Sequence, residues 1–122
     1  MGEKLIETTT FAKLEIIIKP GKLDAVKKAM TSAGYSGVTI SQAEGHGNQK
    51  GISKQGQNGN FRIELLPKLR MEVVVAGKDV EGLIEAISKA AHTGEPGDGK
   101  IFVSEIKDVV RIRTGERGAV AL

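Results

Sequence analysis

Leu14-Glu15-Ile16-Ile17-Ile18-Lys19-Pro20 opens a strand–helix–strand pattern that the chain runs through twice, and that repetition decides the fold. A short apolar run rich in β-branched residues and stopped by proline predicts a largely buried strand. Leu23, Val26, Met30 and Ala33 then recur at helical spacing, and Gly34 stands where a left-handed C-cap belongs. Val38-Thr39-Ile40-Ser41 alternates as a second strand would. In the second half Phe61, Ile63 and Leu65, then Leu69, Met71, Val73 and Val75, alternate with charged residues. They predict one long strand, broken or bulged at Pro67. Asp79 is the expected N-cap of a helix whose stripe is Val80, Leu83, Ile84, Ile87, Ala90 and Ala91, with Lys89 and His92 at its end. Lys100 to Val103 reads as the fourth strand and Val109 to Arg113 as a shorter one.

The order strand–helix–strand–strand–helix–strand predicts an α+β, ferredoxin-like βαββαβ subunit with a long loop between its second and third strands. Both helices then cover one face of the sheet, and the other face needs a partner, so an oligomer is expected. Residues 1–12 read as an N-terminal extension and 13–122 as the domain. Between the halves, Gly45 to Asn60 holds five glycines and almost no apolar residue. Ordered domains seldom carry so long a loop without a use.

Composition narrows the function. The 122 residues, 39% hydrophobic and 27% charged, suit one soluble domain. With no cysteine there is neither a disulfide nor a thiolate site, and two histidines argue against a histidine-rich metal centre. No basic-then-apolar leader opens the chain, so the expectation is cytoplasmic. A net charge of +3 is too small to mark a nucleic-acid surface, and Phe11, Tyr35, Phe61 and Phe102 are too few to build a base-stacking platform. No nucleic-acid partner is expected. Neither a serine–histidine–carboxylate set nor a carboxylate pair stands out, so binding is favoured over catalysis.

Three constellations remain. Gly94-Glu-Pro-Gly-Asp-Gly-Lys100 nearly spells a Walker A loop, but Ile101 stands where the Mg²⁺-binding hydroxyl belongs and the loop leaves a helix instead of opening one. Its glycines can still expose N–H groups to an anion beside Lys100, or simply make a turn. Arg111 and Arg113, two apart on a strand, would point the same way and suit a polyphosphate, or form a solvated edge. Gly45-His46-Gly47-Asn48-Gln49-Lys50-Gly51 allows close backbone approach to a ligand, or is plain solvent loop.

Together, Ile17-Ile18-Lys19-Pro20, Gly45-x-Gly-x-Gln-Lys-Gly51, Leu66-Pro67-Lys68, Thr93-Gly-x-x-Gly-Asp-Gly-Lys-Ile-Phe-Val103 and Arg111-Ile-Arg-Thr-Gly-Glu116 resemble the PII signal-transduction family, from Lys13 to Leu122. The resemblance implies a cytoplasmic, non-catalytic homotrimer that binds ATP or ADP between subunits, with Mg²⁺ and 2-oxoglutarate as further ligands. Its T-loop, about 45–61, would contact a target transporter or enzyme, and only through a transporter would it meet a membrane. The nucleotide positions it implies are Gly97, Asp98, Gly99 and Lys100 of the B-loop, about 93–100, and Arg111 and Arg113 of the C-terminal loop, about 111–122. Ile17, Thr39, Val74 and Thr93 line the implied cleft, with Gly47, Asn48 and Gln49 beside them. Gln49 would help hold Mg²⁺, and Gln49, Lys50, Gly51 and Lys68 would take 2-oxoglutarate.

Departures from the pattern are chemically pointed. Phe61 replaces the tyrosine that many members have nucleotidylated, and Gly59 the serine that others phosphorylate, so no modification is expected at either. Asn48 replaces an arginine, which removes a cation from the ligand's surroundings and leaves ATP preference and the 2-oxoglutarate response open. Three other readings stay open: a related sensor of AMP or bicarbonate, a weak ATPase and a ferredoxin-like RNA binder.

Overall fold

The computed structural model describes residues 11–45 and 66–122. Four strands, β1 (Phe11–Ile18), β2 (Thr39–Gly45), β3 (Leu66–Ala76) and β4 (Gly99–Ile106), form one sheet in the order β2-β3-β1-β4, with every pairing antiparallel. Helices α1 (Leu23–Ser32) and α2 (Val80–Ala91) join β1 to β2 and β3 to β4. This is the expected βαββαβ order.

Alternation along β1 is strict: Ala12, Leu14, Ile16 and Ile18 are buried, and the residues between them are not. Met71, Val73 and Val75 of β3 share that face, against Val26 and Met30 of α1 and Val80, Leu83, Ile87 and Ala91 of α2. The core therefore lies between the sheet and the two helices. The opposite face carries Ile17, Val74 and half-exposed Phe102, together with Lys13–Glu72 at 3.7 Å and Arg70–Glu15 at 3.0 Å. Arg70 Nε lies off the hydrogen-bonding direction of that carboxylate, so the contact is an ion pair only.

Several expectations change. β1 begins at Phe11, not Leu14, because Phe11 and Ala12 pair on both sides, with Ala76 and Val75 of β3 and with Ile106 and Glu105 of β4. Residues 1–10 of the expected extension lie outside the described residues. The second strand begins one residue later than expected and runs on to Gly45. Pro67 makes no break or bulge: the register runs evenly through Glu44↔Pro67 and Ala43↔Lys68. β1 ends at the Ile18↔Leu69 pair, so Pro67 has a neighbouring strand on one side only and its missing N–H is tolerated there. Asp79 stands at the N-cap position of α2 but makes no capping bond. It accepts the Tyr35 hydroxyl at 2.5 Å instead, while that oxygen accepts the Ala76 N–H at 3.2 Å. Gly34 does terminate α1 at φ +94, with its N–H on the Thr31 carbonyl and that of Tyr35 on the Met30 carbonyl.

The expected strand over Val109 to Arg113 is absent. A turn over residues 112–114 is closed by a single bridge between Val110 and Arg117, followed by a short helical turn at Gly118–Ala121. The cause is local bonding: the Arg111 N–H reaches the Glu116 carbonyl at 2.8 Å and the Gly115 N–H reaches the Arg111 carbonyl at 2.7 Å. That folds the segment on itself instead of along a neighbouring strand.

Candidate functional site

Three segments meet where β1 ends and β4 begins: Lys19, Lys68 of β3 and the loop from Thr93 to Asp98. Gly99 sets how closely they meet. Its φ is +114, and a Cβ there would sit 1.7 Å from the Ile17 carbonyl oxygen, so only glycine lets β4 start flush against β1. Gly94 and Gly97, also at positive φ, turn the loop between α2 and that start.

Asp98 organises the loop. One carboxylate oxygen accepts the N–H groups of Thr93 at 2.8 Å and Gly94 at 3.0 Å, and the other accepts the Thr93 hydroxyl and faces Lys19 Nζ at 3.3 Å. Thr93 Oγ1 in turn accepts Lys19 Nζ at 3.3 Å and the Glu95 N–H at 3.1 Å. With so many donors stabilising its charged form, led by the Thr93 hydroxyl and N–H, Asp98 is held well below the usual carboxylate range. Lys68 Nζ donates to the Gly97 carbonyl at 2.6 Å. Burial, then the nearby Lys19 charge, push the Lys68 ammonium down, and Asp98 partly offsets them.

These contacts decide what the loop can offer. The amides of Thr93, Gly94 and Glu95 are already occupied, and Pro96 has none. An anion at this turn would have to use the amides that follow, toward Gly97, whose carbonyl takes Lys68 Nζ; Lys100 follows at the start of β4. Asp98 shapes this cradle with its carboxylate, which is fully committed to the loop. Behind the loop a cavity of about 400 Å³ opens between α2 and the β1–β4 edge, walled by Ile18, Ile84, Ile87 and Ile101, with His92 and Lys100 also on its lining.

Of the other expected site residues, Ile17 pairs with Lys100 across the β1–β4 register, Val74 lies on the open face of β3, and Thr39 starts β2 opposite Glu72. Arg111 is turned to its own segment: it donates to Glu116 at 2.7 Å and to the Val120 carbonyl at 2.8 Å. With a turn over residues 112–114 in place of a strand, strand alternation does not put Arg111 and Arg113 on one face. Gly47, Asn48, Gln49, Lys50, Gly51 and Phe61 lie outside the described residues. Among the described residues no three histidine, aspartate or glutamate side chains gather as a metal site. Nor is any described helix long and apolar enough to cross a membrane.

Sequence reading missed Lys19 and Glu116. The signal for Lys19 was its place before Pro20, which holds the residue extended (φ −68, ψ 140) at the strand's end. Glu116 was visible only as an acid five residues after Arg111.

Sheet order, helix placement and this end-loop define a ferredoxin-like α+β protein with a glycine turn and three lysines at one end of its sheet. A sequence model of the family described as nitrogen regulatory protein P-II matches residues 11–116. The nitrogen regulatory protein P-II of Mesorhizobium japonicum is 54% identical over 110 residues, spanning 90% of this chain and 98% of that one. Among solved structures, B. subtilis GlnK in complex with ATP superposes with a TM-score of 0.78 at 33% identity, over 94% of this chain and 98% of that one. Arabidopsis thaliana PII bound to citrate superposes at 0.74 with 38% identity, over 93% and 94%. The chain belongs to the P-II family of nitrogen regulatory proteins.

Proposed function

We propose that the protein is a non-catalytic sensor of ATP and ADP that signals through its 45–61 loop. The observation that carries this reading is the Thr93–Lys100 turn: glycines at positive φ, a carboxylate that fixes the turn from within, Lys68 on its Gly97 carbonyl and Lys100 at its end. The ATP held by the B. subtilis relative supports a nucleotide as the anion. In this reading the chain is a cytoplasmic homotrimer. The sheet face bearing Ile17, Val74 and Phe102 turns inward, and Arg111 and Arg113 reach the phosphates bound by a neighbouring copy. Arg111, which donates to Glu116 and the Val120 carbonyl of its own segment, would exchange part of that bonding for the phosphate contact.

Gln49, with Mg²⁺ on the nucleotide phosphates, and Lys68, on a distal carboxylate of 2-oxoglutarate, would add the nitrogen signal. Lys68 must then leave the Gly97 carbonyl, so the two ligands would meet at one loop. A ligand shifts the signalling loop only by its differential affinity for the loop's two states. ATP and ADP must therefore touch the loop differently, and Gln49 is our candidate for the residue that registers the difference. A transporter or metabolic enzyme that prefers one state reads the result.

Calorimetry with ATP, ADP and AMP, each with and without Mg²⁺ and 2-oxoglutarate, tests the proposal. Adenine-nucleotide binding well below millimolar is expected, at three sites per trimer. No binding below millimolar ends the reading, while binding indifferent to 2-oxoglutarate removes only the nitrogen half. The citrate bound to the A. thaliana relative favours one second reading, a sensor of a small carboxylate or bicarbonate at the same lysines. The same titrations with citrate and bicarbonate, nucleotide omitted, separate the two.

A further inference from the structure

Lys19 lies beside the Thr93–Lys100 turn but takes no part in the ligand contacts proposed above. We infer that Lys19 is a positioning residue: its ammonium offsets the Asp98 charge and keeps that carboxylate on the loop amides, away from an incoming anion. The inference rests on reading the turn as the anion site.

The geometry is specific. Extended backbone before Pro20 projects Lys19 from the end of β1, and Nζ lies 3.3 Å from both Asp98 Oδ1 and Thr93 Oγ1. Both side chains are only about a quarter exposed, at 28% and 25%, so solvent screens the pair less than it would an open surface pair. The need for compensation is electrostatic. A carboxylate inside an anion-binding turn repels the phosphate or carboxylate that the turn is built to accept. Asp98 cannot simply be omitted, because it fixes the amides of Thr93 and Gly94. A lysine outside the turn reconciles the two requirements. Lys68 also feels the Asp98 charge, but its hydrogen bond goes to the Gly97 carbonyl, whereas Lys19 Nζ is the ammonium 3.3 Å from the carboxylate.

A double-mutant cycle in the full-length protein, read by calorimetry with Mg-ATP, tests it. Lys19→Met alone should weaken ATP binding about ten-fold, the scale of one charged contact, and Lys19→Arg should restore most of it. In an Asp98→Asn background, where no charge needs offsetting, Lys19→Met should change affinity less than about two-fold. An equal loss in both backgrounds would show that Lys19 holds the ligand directly and overturn the inference. A second measurement needs no ligand: amide hydrogen exchange at Thr93 and Gly94 should speed up about ten-fold in Lys19→Met and not in Lys19→Arg. Unchanged exchange overturns the inference even if ATP is not the ligand. Failure of the unaltered protein to bind ATP, with exchange behaving as expected, overturns the nucleotide reading alone.

Discussion

The middle of β1 and the turn after α2 are held by opposite kinds of interaction. Leu14, Ile16 and Ile18 are shut away from water within an apolar cluster built from two strands and both helices. The turn from Thr93 to Asp98 lies at the surface, and one carboxylate, one hydroxyl and two lysines give it its shape. Apolar burial is non-directional and indifferent to pH or to the position of any one charge. The turn's contacts are directional and few, so a single proton or a competing anion can rearrange them. The molecule thus pairs a frame that does not respond with a loop that can.

That contrast breaks most visibly at the core. Ile16→Ala leaves a cavity where Ile16 is fully buried, and should cost about 3–4 kcal/mol of unfolding free energy in a urea melt. A loss below about 1 kcal/mol would mean the sheet–helix interface is looser than its burial implies.

Gly99→Ala tests the seam between the two regions. A methyl group forced onto the Ile17 carbonyl at φ +114 should cost about 2–4 kcal/mol and displace the start of β4. It should also weaken anion binding, because the loop is anchored there. A variant with unaltered melting and a native β1–β4 register would show that the backbone relaxes freely at this point.

Tyr35→Phe should cost about 1–2 kcal/mol, since the Asp79 carboxylate and the Ala76 N–H both lose their partner. Tyr35 is the one tyrosine in a chain without tryptophan, so its phenolate absorbance can be read without interference. Burial and the Asp79 hydrogen bond push the phenol up from the ordinary value of about 10. Because the folded value is the higher one, this contribution to stability is complete below the unfolded value and is lost as pH rises through the folded one. A titration midpoint at or below the free-tyrosine value would contradict the contact.

The smallest effect on stability belongs to Asp98, yet it bears most directly on the turn. Its folded value is depressed, so the stabilisation is complete above the unfolded aspartate value of about 3.9 and fades as pH falls through the lower folded value. Carbon-detected NMR of the side-chain carboxyl should show a midpoint well below that of an aspartate in an unstructured peptide. Matching midpoints would remove Asp98 as the organiser of the turn.

Much of the frame was legible in the residues. The alternation Leu14, Ile16, Ile18 and the helical stripe Val80, Leu83, Ile87, Ala91 both place core positions correctly, because each pattern is written within a few residues of chain. The ends of elements were less legible. Phe11 and Ala12 join β1 through partners on β3 and β4, far away in sequence. Asp79 had the residue type and position of a cap, but Tyr35, 44 residues away, claims its carboxylate. The Arg111 segment looked like a strand because Val109, Val110 and Ile112 are β-branched, and the backbone bonds to Glu116 and Gly115 override that propensity.

The residues by themselves determined the order of elements, the turn glycines and the family, since these depend on periodicity and on backbone freedom that each short stretch carries within itself. Tertiary structure alone decided where the charged side chains go: Lys19 to a turn 74 residues away, Lys68 to Gly97, Arg111 back to its own segment. A long cationic side chain has many rotamers of similar energy, and only the partners that folding brings within reach select among them.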